Sequence, residues 1–137
     1  MIWLTHIVFA FLIAKFFFVE FNVVQALLLF FSALFPDIDN KNSLLGKMFK
    51  LPVKHRTIFH SLILILPVAY LIFIFAGAVY FKIFLIGSLS HLFLDCFNVS
   101  GVKLFYPLRF RIKGPIRTGS FFDYLLLFVF LAFLILI

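Results

Sequence analysis

Five apolar runs, at residues 2–19, 22–36, 62–81, 83–97 and 121–137, occupy most of the chain. Each approaches the roughly 17 to 25 residues that carry a helix across a bilayer. A soluble core of this size cannot hide so much apolar surface. Of the 137 residues 66% are hydrophobic, 24 are Phe, and the mean hydropathy is +1.25, whereas soluble domains are about half apolar. The sequence therefore predicts an all-α integral membrane protein, one transmembrane domain over residues 1–137 built as a compact bundle of about five short helices. The run 22–36 is the weakest span, because roughly 14 helical residues reach only about 21 Å; it is expected to tilt or to be partly re-entrant. No Lys or Arg precedes the first run and no small-x-small site follows it before Glu20, so it reads as a retained helix rather than a signal peptide. Cys96 is the single cysteine, which excludes an intramolecular disulfide or a thiolate cluster and leaves it a packing role.

Two polar segments set the orientation. Residues 37–57 hold Lys41, Lys47, Lys50, Lys54 and Arg56; residues 98–118 hold Lys103, Arg109, Arg111, Lys113 and Arg117. Cytoplasmic loops carry the excess of Lys and Arg, so both segments, and with them the N-terminus, are expected on the cytoplasmic side of the membrane. The third and fourth helices then form a hairpin turning near Gly77 on the outer side, where Lys15, Glu20 and Lys82 also fall.

This topology brings His6, Asp37, Asp39, His55, His60, His91, Asp95 and Asp123 to the same membrane end. The orientation used only Lys and Arg, so the convergence of all four histidines and four of the five acids is an independent result. Ionisable residues inside a membrane are expensive and persist when paired or functional. His91 and Asp95 stand four apart in SHLFLD, which puts both side chains on one helix face, one turn apart. Asp37 and Asp39 bracket a helix end after Pro36. His55 and His60, five apart, do not share a helix face, which places His55 in the preceding loop. Singly, each element has a plainer reading: a hydrogen-bonded couple, loop charge, or for Asp123 a first-turn acid favoured by the helix dipole. Together they argue for a divalent cation. Imidazole with carboxylate suits Zn first, then Mn or Fe, better than Ca or Mg, and the number of donors accommodates one or two ions.

The ordered set TH at 5–6, LFPDID at 34–39, HRTIFHS at 55–61, SHLFLD at 90–95, Gly101 before Tyr106 and Pro107, and TGSFFD at 118–123 resembles the YdjM-like family of membrane-bound, metal-dependent hydrolases over nearly the whole chain. The resemblance implies an inner-membrane helical protein with a hydrolytic metal centre at His6, Asp37, Asp39, His55, His60, His91 and Asp95. Asp123 stands where that family usually carries Glu. The order His, Asp, His, His-x-x-x-Asp is also faintly similar to zinc-dependent phospholipase C, although no histidine follows His91 to complete a trinuclear site.

These readings point to a hydrolase acting on a membrane lipid or other amphipathic substrate, with a phosphoester as the favoured bond. Asp39 or Asp123 is expected as general base, Arg56 as a catalytic cation, and Lys54, Arg56, Arg109, Arg111 and Arg117 as phosphate contacts. The alternative is a metal-binding or metal-transport protein without hydrolytic activity. Transport is disfavoured because the far halves of the helices carry almost no polar side chain, whereas transporters place binding groups near the midplane. Topology accounts for the net charge of +7, so nucleic acid is not expected as a partner.

Overall fold

The computed structural model describes residues 1–18, 20–49 and 56–137. Among them run six α-helices: α1 (Trp3–Phe17), α2 (Val23–Leu34), α3 (Leu44–Phe49), α4 (Leu62–Ala76), α5 (Ala78–Cys96) and α6 (Phe121–Leu136). Short 3-10 turns at Phe35–Asp39 and Ile58–His60 complete the helical content. No strand occurs among the described residues; the segment after α5 carries isolated bridges, Asn98 to Ile116 and Val102 to Ile112.

The five long helices follow the five apolar runs, and the hairpin turns at Gly77 as expected: α4 ends at Ala76 and α5 begins at Ala78, so the stretch up to Lys82 belongs to α5 rather than α4. Gly77 makes the reversal alone at φ +92, a conformation that favours a residue without Cβ. α5, with 19 residues, is long and apolar enough to cross a membrane unaided; α1, α4 and α6 are apolar but shorter, at 15, 15 and 16 residues. The remaining long helix, α2, has 12 residues and starts from a capping box between Asn22 and Gln25.

α5 is the central element, packed against α1, α2 and α4, while α6 lies on α1. Small residues let the backbones approach: Ala10, Ala14 and Ala33 are fully buried, and a Cβ on Gly87 would lie within 2.9 Å of the Ala33 nitrogen and closer still to Ser32. Such small-residue seams are how membrane helices associate without a hydrophobic driving force. Polar residues share the interior with the apolar clusters, and large apolar side chains cover much of the surface. Thr5, His6, His60, His91, Asp95, Asn98 and Asp123 are buried, while Leu66, Tyr70, Ile74 and Phe75 of α4 and Phe128, Phe133 and Leu136 of α6 are exposed. Water would penalise that apolar surface; lipid does not.

Candidate metal centre

α1 and α4 begin, and α2 and α5 end, at the same pole of the bundle, and this places His6, Asp37, His60, His91 and Asp95 together. Two overlapping triads form, His6–His91–Asp95 and Asp37–His60–His91, each with donor atoms within 4.8 Å of one another. His91 belongs to both. His60 Nε2 lies 3.5 Å from Asp37 Oδ1 and 3.5 Å from Asp95 Oδ2, and His6 Nε2 lies 3.7 Å from Asp95 Oδ1. The His6 and His91 rings stack with centroids 3.8 Å apart.

His91 tests whether these residues suit a cation. Its Nδ1 lies 2.7 Å from the Ala33 carbonyl oxygen, which only accepts, so Nδ1 carries the proton. In the neutral ring Nε2 then holds a lone pair. That nitrogen is buried without a hydrogen-bond partner and faces Asp37 Oδ1 and Asp95 Oδ2, each at 3.8 Å. Three acceptors aimed at one another repel unless positive charge lies between them. A backbone carbonyl that fixes the tautomer of an imidazole is also the usual outer partner of a metal-binding histidine. The donor set fits a divalent metal.

Burial opposes charge on both groups of the two 3-10 turns, but their mutual contacts prevail. Burial raises Asp37, yet His91 and His60 hold it below the usual carboxylate range. Burial lowers His60, yet Asp37, Asp39 and Asp95 push it up to about 10. A proton on His60 thus balances the carboxylates when no metal does.

Arg56 enters the centre with its side chain 13% exposed. Its Nη2 lies 3.3 Å from Asp95 Oδ2, its Nη1 donates to the Gly101 carbonyl at 2.9 Å, and its backbone N–H donates to Asp39 Oδ2 at 3.1 Å. The Met1 nitrogen adds a 3.4 Å contact to Asp95 Oδ1. Above the centre opens a cleft of about 350 Å³, bordered by His6, Asp37, Asn40, Arg56, Asp95 and Ser100, with Met1 and Thr118.

Several expected residues lie elsewhere. Lys54 and His55 fall outside the described residues. Asp39 sits behind His60, its Oδ1 3.8 Å from Nδ1, and belongs to neither triad. Asp123 is spent on structure: it accepts from the backbone N–H groups of Ile2 and Gly119 at 2.9 Å each and from Thr5 Oγ1 at 3.0 Å. Neither residue expected as general base borders the cleft; among the described residues the carboxylates that do are Asp37 and Asp95. Arg109, Arg111 and Arg117 are exposed; Arg111 alone of the three donates to a residue bordering the cleft, Ser100, at 3.2 Å. Sequence reasoning missed the Ala33 carbonyl, since any residue supplies one.

The sequence pattern of the YdjM inner membrane protein family matches residues 1–137, the whole chain. The chain belongs to that family. It is therefore a membrane protein. A YdjM-family chain so matched is also 36% identical over 110 residues to an uncharacterized protein, YvsG, of Bacillus subtilis (strain 168). That alignment covers 69% of this chain and 66% of the relative, just under two thirds of its length. No solved structure matches the chain.

Proposed function

We propose that this YdjM-family protein is a metal-dependent hydrolase whose centre faces the cytoplasmic membrane interface and cleaves a lipid-borne phosphoester. The observation that carries the reading is His91: its Nδ1–H donates to the Ala33 carbonyl and its Nε2 is turned toward two carboxylates beneath an open cleft. His6, His60, His91, Asp37 and Asp95 would hold the ion or ions, with Zn favoured and Mn or Fe as alternatives. A bound divalent ion supplies Lewis acidity toward a phosphoryl oxygen and acidifies an attached water.

The chain's own residues do the rest. The Ala33 carbonyl keeps His91 in one tautomer, and Asp39 orients His60. Asp37, on the rim of the cleft, would orient the attacking water by accepting its hydrogen bond. Arg56, already beside Asp95, turns its planar guanidinium toward phosphate oxygens when substrate enters, a geometry suited to bidentate contact. In this reading the five long helices all cross the membrane, in places through a thinned bilayer, a modest cost for short spans.

The test is metal analysis of the purified protein followed by assays in liposomes on phospholipids and prenyl phosphates. The expected outcome is a bound transition metal, loss of phosphate release on chelation, and recovery with Zn or Mn. A metal-loaded protein that cleaves peptides or amides but no phosphoester would overturn the substrate; one that binds metal yet cleaves nothing would leave a metal-binding membrane protein.

A further inference from the structure

Apolar cavities adjoin the cleft at the metal centre. Met1 borders both the cleft and a second cavity of about 280 Å³, which Phe9, Phe93, Phe97, Leu126 and Phe130 also line. Phe9 and Phe93 in turn border a third cavity of about 410 Å³ that descends between α1 and α5 past Ile13, Leu89, Leu85 and Phe17. The two shared rings lie parallel, centroids 6.0 Å apart, and Phe130 of α6 closes on Phe9 at 4.8 Å. The polar side chain in this track, Ser90, turns its hydroxyl back to the Gly87 carbonyl at 2.8 Å. Apolar lining therefore runs from Met1 at the metal centre through the shared Phe9 and Phe93 rings along α1 and α5 to Phe17, forming one groove if those rings part.

We propose that this groove holds one hydrocarbon chain of an anionic lipid whose headgroup lies in the cleft. The inference rests on the hydrolase reading for the position of the headgroup. Two features select such an occupant. Basic side chains flank the cleft beyond its two carboxylates: Arg56 borders it, Arg111 donates to Ser100 on its edge, and the segment 98–118 contains five basic residues and no acid. The length also matches. From the level of His6 to that of Phe17 is about 16 Å at 1.5 Å per residue, close to half of the roughly 30 Å hydrocarbon core, the depth that one leaflet's chain occupies.

The molecule carries its own control. A recess of about 380 Å³ on the opposite side, lined by Phe31, Phe35, Met48, Phe49 and Ile72 among others, is as apolar but shares no residue with the cleft. The experiment uses the intact protein in phosphatidylglycerol vesicles doped with phosphatidylglycerol bearing a diazirine on one chain, with crosslinks mapped by mass spectrometry. Labelling is expected to concentrate on Phe9, Ile13, Leu89 and Phe93 over Phe31 and Met48. Filling the groove with Leu89→Trp should lower that labelling about fivefold, equivalent to ~1 kcal/mol, with metal content unchanged. Phosphatidylcholine probes should label the groove less than phosphatidylglycerol probes.

Equal labelling of groove and control recess would overturn the proposal, as would indifference to headgroup charge. Should Leu89→Trp fail to fold, the wild-type map decides alone. Groove labelling with no phosphoester cleaved would refute the hydrolytic reading and keep the lipid site. Phosphoester cleavage without groove labelling would do the reverse.

Discussion

At the scale of single residues, the centre works through a fixed proton and a displaceable one. His91 has its proton pinned by Ala33, so His91→Ala removes a donor common to both triads; metal content, read by elemental analysis, should fall sharply, and Asp37→Ala should do the same. Lys15→Ala is the contrast, since Lys15 donates to the Leu134 carbonyl at the far end of the bundle and should leave metal content unchanged. His60 holds the displaceable proton. Its affinity for that proton is raised from 6.5 to about 10 by three carboxylates that outweigh the cost of burial. The proton's contribution to the metal-free fold is therefore complete below about 6.5 and lost as pH rises through about 10. Metal must displace it, so affinity should fall as pH drops, by about tenfold per unit for each proton released. Calorimetry in buffers of different ionisation enthalpy would count that proton; affinity flat between pH 6 and 9 would mean His60 is not a ligand. Spacing in SHLFLD and DID made most of these ligands legible in the sequence. The engagement of Asp39 and Asp123 was not, because whether a carboxylate faces a cleft or a backbone N–H depends on where another helix ends.

At the scale of elements, the centre depends on how closely α5 lies on α2. A Cβ on Gly87 would collide with Ser32, and Gly87 is one turn before His91 on α5, whose Nδ1 must reach Ala33 on α2. Gly87→Val should part the helices, break that hydrogen bond and lower metal affinity while leaving the helical circular dichroism nearly intact. Normal metal affinity in that variant would show that the Ala33 contact is dispensable. The α1–α6 pair depends instead on Asp123. Asp123→Asn replaces one acceptor oxygen with a donor facing backbone N–H or Thr5, which should cost about 1–3 kcal/mol, seen as a lower thermal midpoint in detergent with metal stoichiometry retained. Helix positions were readable because long apolar runs have few alternatives. The 3-10 turn at Phe35–Asp39, the short α3 and the folded segment 98–118 were not, since their geometry comes from tertiary contacts such as Leu62 N–H and Ser61 Oγ on the Leu104 carbonyl rather than from local pattern.

At the scale of the whole molecule, polarity runs along the bundle as well as from inside to outside. The candidate ligands sit at the pole where α1 and α4 begin and α2 and α5 end, and among the described residues eight basic ones belong to the two segments at that same pole. The opposite pole holds the Gly77 reversal, Lys15 and Lys82. Charge asymmetry of this kind orients a membrane protein because Lys and Arg in short loops resist translocation, and anionic headgroups of the cytoplasmic leaflet attract them further. The pole of the candidate ligands should therefore face the cytoplasm, which also places the basic segment 98–118 against the leaflet whose lipids would enter the groove. Single cysteines at Ser43 and Lys113, introduced after Cys96 is replaced by Ser, should resist a membrane-impermeant maleimide added to intact cells and react once the membrane is opened, while a cysteine at Lys82 reacts from outside. Labelling of Ser43 and Lys113 in intact cells would invert the topology. The centre would then draw its metal and its lipid from the outer leaflet, and the charge argument for the groove would have to be made against that leaflet instead.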